Sequence, residues 1–266
     1  MKNKIKSIIQ DDIENLDHYL HYVARLSKDF DLGLEFISPV IIENAETAKP
    51  ILGDGIPEIV RTETPTLDSA IQVKVSEALS QFSAVDYSIT DSFSDEKAYT
   101  NYQDSLMWTI NQTSRDSFLN ELLGTIETDL YQKVKLPSLT VPSNCPYQKP
   151  KTLLLVIRDT PDLDFTHFNN IMDKLDLRVV YVFHEDEKDI SIEEIMNSIN
   201  VEFKNFIGSV KTVSMDYTSN MLDKILDTEK PEWIAFANYD RSLLERIYKV
   251  NTNQLILSSQ LPVLNF

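Results

Sequence analysis

The stretch KTLLLVIRDTPDLDFTHFNNIMDKLDLRVVYVFHED, Lys151–Asp186, decides the fold. Its first nine residues hold the unbroken apolar run LLLVI, the pattern of a strand buried on both faces. In FTHFNNIMDKLD, Phe165, Phe168, Ile171, Met172 and Leu175 recur at helical spacing and share one face. LRVVYVFHED is a second apolar run. Strand, helix and strand at this length predict two parallel strands joined by a crossover helix.

Working outward, the same alternation continues to residue 266. SIEEIMNSINVEFKNFI reads as a helix with a capping box from Ser191 to Glu194. VKTVSMDY is a strand, SNMLDKILDT a helix, EWIAFANY a strand, RSLLERIYKVN a helix and PVLNF a last strand. The first half follows the same order. IKSIIQDD, LGLEFISPV, VDYSITDSF, LMWTIN and PSLTV are its strands. ENLDHYLHYVARLSKDF, LDSAIQVKVSEALSQF, DEKAYTNYQ and SFLNELLGTIETDLYQKV are its helices, and a long Pro/Gly loop occupies about 40–65.

The halves can be registered. Pro137 and Pro262 are 125 residues apart, and so are Trp108 and Trp233, the only tryptophans. Ser117/Ser242, Leu119/Leu244, Leu130/Leu255, Leu136/Leu261 and Leu139/Leu264 match at the same offset. That coincidence signals an internal duplication. The residues ending the first strands, Asp11 and Asp159, are 148 apart, so the first half carries about 23 extra residues, placed in the 40–65 loop. The organisation expected is a first domain over 1–142, a linker over 143–150 and a second domain over 151–266.

Composition narrows the chemistry. The net charge of -17 repels nucleic acid and anionic lipid, so neither is expected as a partner. No apolar run approaches the roughly 20 residues of a membrane span, and the N-terminus shows no signal-peptide pattern. The single cysteine, Cys145, lies in a proline-containing stretch and reads as a surface or linker thiol rather than a nucleophile. A reduced, cytoplasmic protein is expected. Glycine is scarce: five in all, with Gly208 alone after residue 142. A phosphate cradle needs bare main chain, so the second half is expected to lack one.

Other constellations read as solvated or partner-facing groups. His18 and His21 share a helix face with Asp17 near, but no third metal ligand is evident. His184 opens an acidic loop after a strand. Asp159, Asp162, Asp164 and His167 follow another strand end, where Asp162 or Asp164 suits a helix cap. No GxSxG, HExxH, Walker or CxxC pattern occurs, and no base–nucleophile pair stands at useful spacing. The chain is not expected to be an enzyme.

The chain resembles the universal stress proteins in their tandem two-domain form. IKSIIQD and LLLVIRD each end a first strand in aspartate, LEFISPV and VVYVFHE follow a long helix, and LPSLTV and LPVLNF close the halves after proline. The resemblance implies an α/β fold: two tandem five-stranded parallel-sheet domains with helices on both faces. It is Rossmann-like, of the adenine-nucleotide alpha-hydrolase kind. It further implies that SLTV and VLNF pair with each other, giving an internal pseudo-dimer. Whether whole chains form a homodimer, and with which protein partner they work, the sequence leaves open.

Nucleotide-binding members carry G-x2-G-x9-G-[ST] after the fourth strand, and their first-strand aspartate contacts adenine. Counted back from Gly124-Thr125, this chain reads Asn111-x2-Ser114-x9-Gly124-Thr125, so only the final pair survives. At the 125-residue offset the second half has Phe236, Tyr239, Lys249 and Val250. The resemblance thus implies a regulatory or interaction protein with degenerate nucleotide sites and no cofactor. The alternative is a sensor holding ATP or AMP in the first half, through Asp11, Asn111, Ser114, Gly124 and Thr125.

Overall fold

The computed structural model describes residues 3–9, 16–37, 69–82, 85–90, 105–111, 136–157, 166–185, 193, 197, 200–201, 203, 208–215, 226–236 and 261–265. Ten strands form one continuous sheet among them. The first half supplies β1 (Lys4–Ile8), β2 (Gly33–Ile37), β3 (Tyr87–Thr90), β4 (Ser105–Asn111) and β5 (Ser138–Val141). The second half supplies β6 (Thr152–Ile157), β7 (Val179–Glu185), β8 (Ser209–Met215), β9 (Trp233–Phe236) and β10 (Val263–Asn265). Their spatial order is β3-β2-β1-β4-β5-β10-β9-β6-β7-β8. Every neighbouring pair is parallel except β5 and β10, which run antiparallel with Leu139 opposite Leu264. That one ladder joins two five-stranded parallel halves, each of which covers the other's closing edge.

Helices α1 (Leu16–Phe30), α2 (Ser69–Ser80) and α3 (Thr166–Met172) pack on one face of the sheet. The buried residues of α1 cover a wide arc, from Leu16 and Leu20 through Tyr22 and Val23 to Phe30. The arc is wide because the sheet lies beneath the helix, α2 beside it, and the linker against Tyr22. The helix ends on Asp31 in a left-handed conformation (φ 53°). Leu32 N–H donates to the Ser27 carbonyl (3.0 Å) and Asp31 N–H to that of Lys28 (3.2 Å), the paired bonds of a Schellman cap. The opposite sheet face is also buried, at Ile8, Trp108, Ile110, Leu154, Ile234 and Val263. The further helices expected around 95–103 and 117–134 lie outside the described residues, as does the 40–65 loop.

The equivalence of the two halves differs from the sequence registration by one residue. Trp108 pairs with Ser138, but Val263, the counterpart of Ser138, pairs with Ile234. Trp108 N–H donates to the Pro137 carbonyl (2.8 Å), and Ile234 N–H to the Pro262 carbonyl (3.1 Å). Lys6 pairs with Trp108, and Leu154 with Ile234. The counterpart of Trp108 is therefore Ile234, and that of Trp233 is Met107. The two tryptophans occupy equivalent strands but opposite faces. Trp233 and Met107 belong to the core under α1, whereas Trp108 lies on the far side beneath the Lys6 ammonium, 5.3 Å from its ring centre. One residue fewer between β9 and β10 than between β4 and β5 produces the slip. Because side chains alternate with period two, a slip of one turns a residue to the other face.

Candidate functional site

In each half the chain order reverses beside the first strand. β1 lies between β2 and β4, and β6 between β7 and β9. The crevice at the carboxyl ends of such strands is where open parallel sheets take ligands. In the first half the face under α1 is polar along this line. Ser7 of β1 sits opposite Thr109 of β4. Tyr19, from the first turn of α1, reaches down between them. The Ser7 hydroxyl donates to the Tyr19 hydroxyl (2.9 Å), which donates to Thr109 Oγ1 (3.1 Å). All three side chains are buried, and burial holds the Tyr19 phenol well above its ordinary pKa, against the lowering effect of Ser7 and Thr109. The triad staples helix and switch-point strands together. Its hydroxyl pattern was not singled out in the sequence, since isolated Ser, Tyr and Thr carry no spacing signal.

Two residues beyond Thr109, on the same face and at the strand end, is Asn111. It is 3% exposed, and neither its amide nitrogen nor its oxygen has a hydrogen-bond partner among the described residues. Orphaning a buried polar group costs on the order of 1–3 kcal/mol. Of the five residues named for nucleotide binding, the structure places Asn111 at the crevice. Asp11, Ser114, Gly124 and Thr125 lie outside the described residues, as does Asp159.

The second half requires a correction. Phe236 pairs with Asn265, the counterpart of Thr140, so it stands in the place of Ile110 rather than of Asn111. By register the residue matching Asn111 is the next in the chain, Ala237, which lies outside the described residues, as do Tyr239, Lys249 and Val250. The expectation that the second half lacks a phosphate cradle therefore rests on its scarcity of glycine and not on Phe236. The first-half triad is also absent there: Leu155 and Ala235 occupy the places of Ser7 and Thr109.

The remaining candidates disperse. His18 is exposed, and the rings of His21 and Phe82, just past α2, meet in a T-shaped arrangement (5.6 Å between ring centres). Among the described residues no three His, Cys, Asp or Glu side chains converge on a metal site. Asp162 and Asp164 lie outside the described residues; His167 falls in α3 and His184 in β7. Sequence reasoning missed a cluster formed by the linker. The Tyr147 hydroxyl donates to Asp29 Oδ2 of α1 (2.7 Å), and its ring meets that of Tyr22 edge-on (5.1 Å, 83°). The Tyr22 hydroxyl comes close to Trp233 of the second half, without the geometry of a hydrogen bond. Burial, then Cys145 and Tyr147, hold the Tyr22 phenol above its usual range.

No protein-family model matches the sequence, and neither does any curated protein. Solved structures do. A universal stress protein from Archaeoglobus fulgidus superposes with a TM-score of 0.59 at 14% identity, over 99% of this chain and 95% of that one. A functionally unknown protein from Pseudomonas aeruginosa superposes with a TM-score of 0.55 at 12% identity, over 100% and 92%. Along its whole length the chain therefore has the α/β fold of a universal stress protein.

Proposed function

We infer that this chain is a non-catalytic regulatory or interaction protein of the universal stress protein kind, with degenerate nucleotide sites. It acts as two domains, 1–142 and 151–266. The observation that carries the reading is Asn111. Counted on the family pattern Asn111 takes the place of the first glycine, and its buried side chain at the strand end supports the loss of the bare main chain that a phosphate cradle needs. Glycine scarcity supports the same reading for the second half. The net charge of -17 adds to the cost of an anionic ligand. The fold shared with a universal stress protein suggests a role in stress response, and the lone half-buried thiol suits a reducing cytoplasm. No described helix is long and apolar enough to cross a membrane.

A second reading is favoured by one fact: the Asn111 amide is buried with no partner among the described residues, and a ligand would satisfy it. This is the ATP or AMP sensor, using Asp11, Asn111, Ser114, Gly124 and Thr125. Titration calorimetry separates the two. Binding of ATP or AMP at micromolar concentration overturns the first reading. No heat at millimolar ligand overturns the second.

A further inference from the structure

Residues 143–150 join β5 to β6 without forming a helix or strand. A turn opens the segment, with Cys145 N–H donating to the Pro142 carbonyl (3.1 Å). Beyond it the side chains alternate. Asn144, Pro146 and Gln148 are exposed, while Cys145 and Tyr147 turn inward and pack against the core. The far end is anchored as well. Lys151 N–H (3.3 Å) and Thr152 N–H (2.7 Å) both donate to the Glu232 carboxylate ahead of β9. Between these anchors the segment is held by side chains: the Tyr147–Asp29 bond, the Tyr147–Tyr22 ring contact and the Cys145 thiol. A segment held in this way opens at lower free energy than the sheet that it spans.

We propose that residues 143–150 form a latch across α1, pinned by Tyr147 on Asp29 and Tyr22, which opens as a unit without unfolding either half. The latch matters because of what it covers. Tyr22 lies on α1 of the first half and belongs to the same buried core cluster as Trp233 on β9 of the second. The pin thus closes over a contact between the halves, and its release loosens one half against the other. Cys145, the only thiol in the chain, lies on the inward side of the latch and reports its opening. Burial raises the pKa of that thiol to about 11, so the closed latch lowers its reactivity at neutral pH.

The test is maleimide labelling of Cys145 in the full chain across low urea concentrations. The free peptide Pro142–Pro150 gives the unprotected rate. The wild type is expected to label far more slowly than the peptide, with a rate nearly independent of urea below the unfolding transition. Tyr147→Phe keeps the ring and loses the hydrogen bond, so labelling is expected to speed up roughly three- to tenfold. Asp29→Ala gives the same acceleration from the helix side, and the double variant is no faster than either single one. Labelling of the wild type at the peptide rate overturns the proposal. So does a labelling rate whose urea dependence equals that of global unfolding, or one that neither substitution moves.

Discussion

Tyr19→Phe is the most informative single change in this protein. It removes one oxygen from a fully enclosed site. Two hydrogen bonds disappear, to Ser7 (2.9 Å) and to Thr109 (3.1 Å), and each contributes about 1 kcal/mol net. The Ser7 hydroxyl then loses its acceptor inside the core, which adds roughly another 1 kcal/mol. Thr109 retains only a long contact to the Lys6 carbonyl (3.5 Å). The expected loss is about 2–3 kcal/mol, read as a lower urea midpoint by circular dichroism. For a chain of this size that corresponds to a fall in Tm of roughly 4–10 °C. The second half supplies the control, because Leu155 and Ala235 fill the same two strand places there without hydroxyls. Replacing all three members, as Ser7→Ala, Tyr19→Phe and Thr109→Val, strands no donor and is expected to fall within about 1 kcal/mol of wild type. A neutral Tyr19→Phe would refute the reasoning, and so would a triple variant whose loss equals the sum of three single losses.

Three further outcomes follow from the same geometry. Burial raises Tyr19, Tyr22, Tyr147 and Cys145, so the folded state favours their protonated forms. Their stabilisation is complete below the ordinary pKa, which is 9.0 for the thiol and 10.0 for the phenols, and is lost as pH climbs beyond it. The urea midpoint should therefore hold near pH 8 and fall steadily by about pH 11; a flat profile contradicts the burial of these groups. Asp31→Gly relieves a side chain held at φ 53° in the cap of α1, and should stabilise the protein by about 0.5–1 kcal/mol in urea melts. Leu264→Pro removes a ladder N–H in the middle of the joined sheet, and should cost about 3 kcal/mol or more and shift the chain toward oligomers in light scattering, as the β5 edge is uncovered. A monomer of unchanged stability would mean that the β5–β10 ladder does not join the halves.

Much of this molecule was legible in the chain itself. Apolar runs such as LLLVI and VVYVF, separated by helical spacing, specify strands buried on both faces and so a parallel α/β sheet. Local periodicity reports which elements form, and recurrence of the prolines before SLTV and VLNF reports that the pattern occurs twice. Neither signal reports which residues of two strands stand side by side. That is decided by interstrand hydrogen bonds, to which a one-residue difference in a connecting segment is invisible in a gapless comparison. Hence the matched tryptophans turned out to face opposite sides of the sheet, and Phe236 stands one place short of the position assigned to it. The Ser7–Tyr19–Thr109 staple and the docking of Tyr147 on Asp29 join residues 90 and 118 positions apart. Only tertiary packing could bring them together, because a hydroxyl gains a role in the core from the partner that folding places within 3 Å, and one sequence alone does not name that partner.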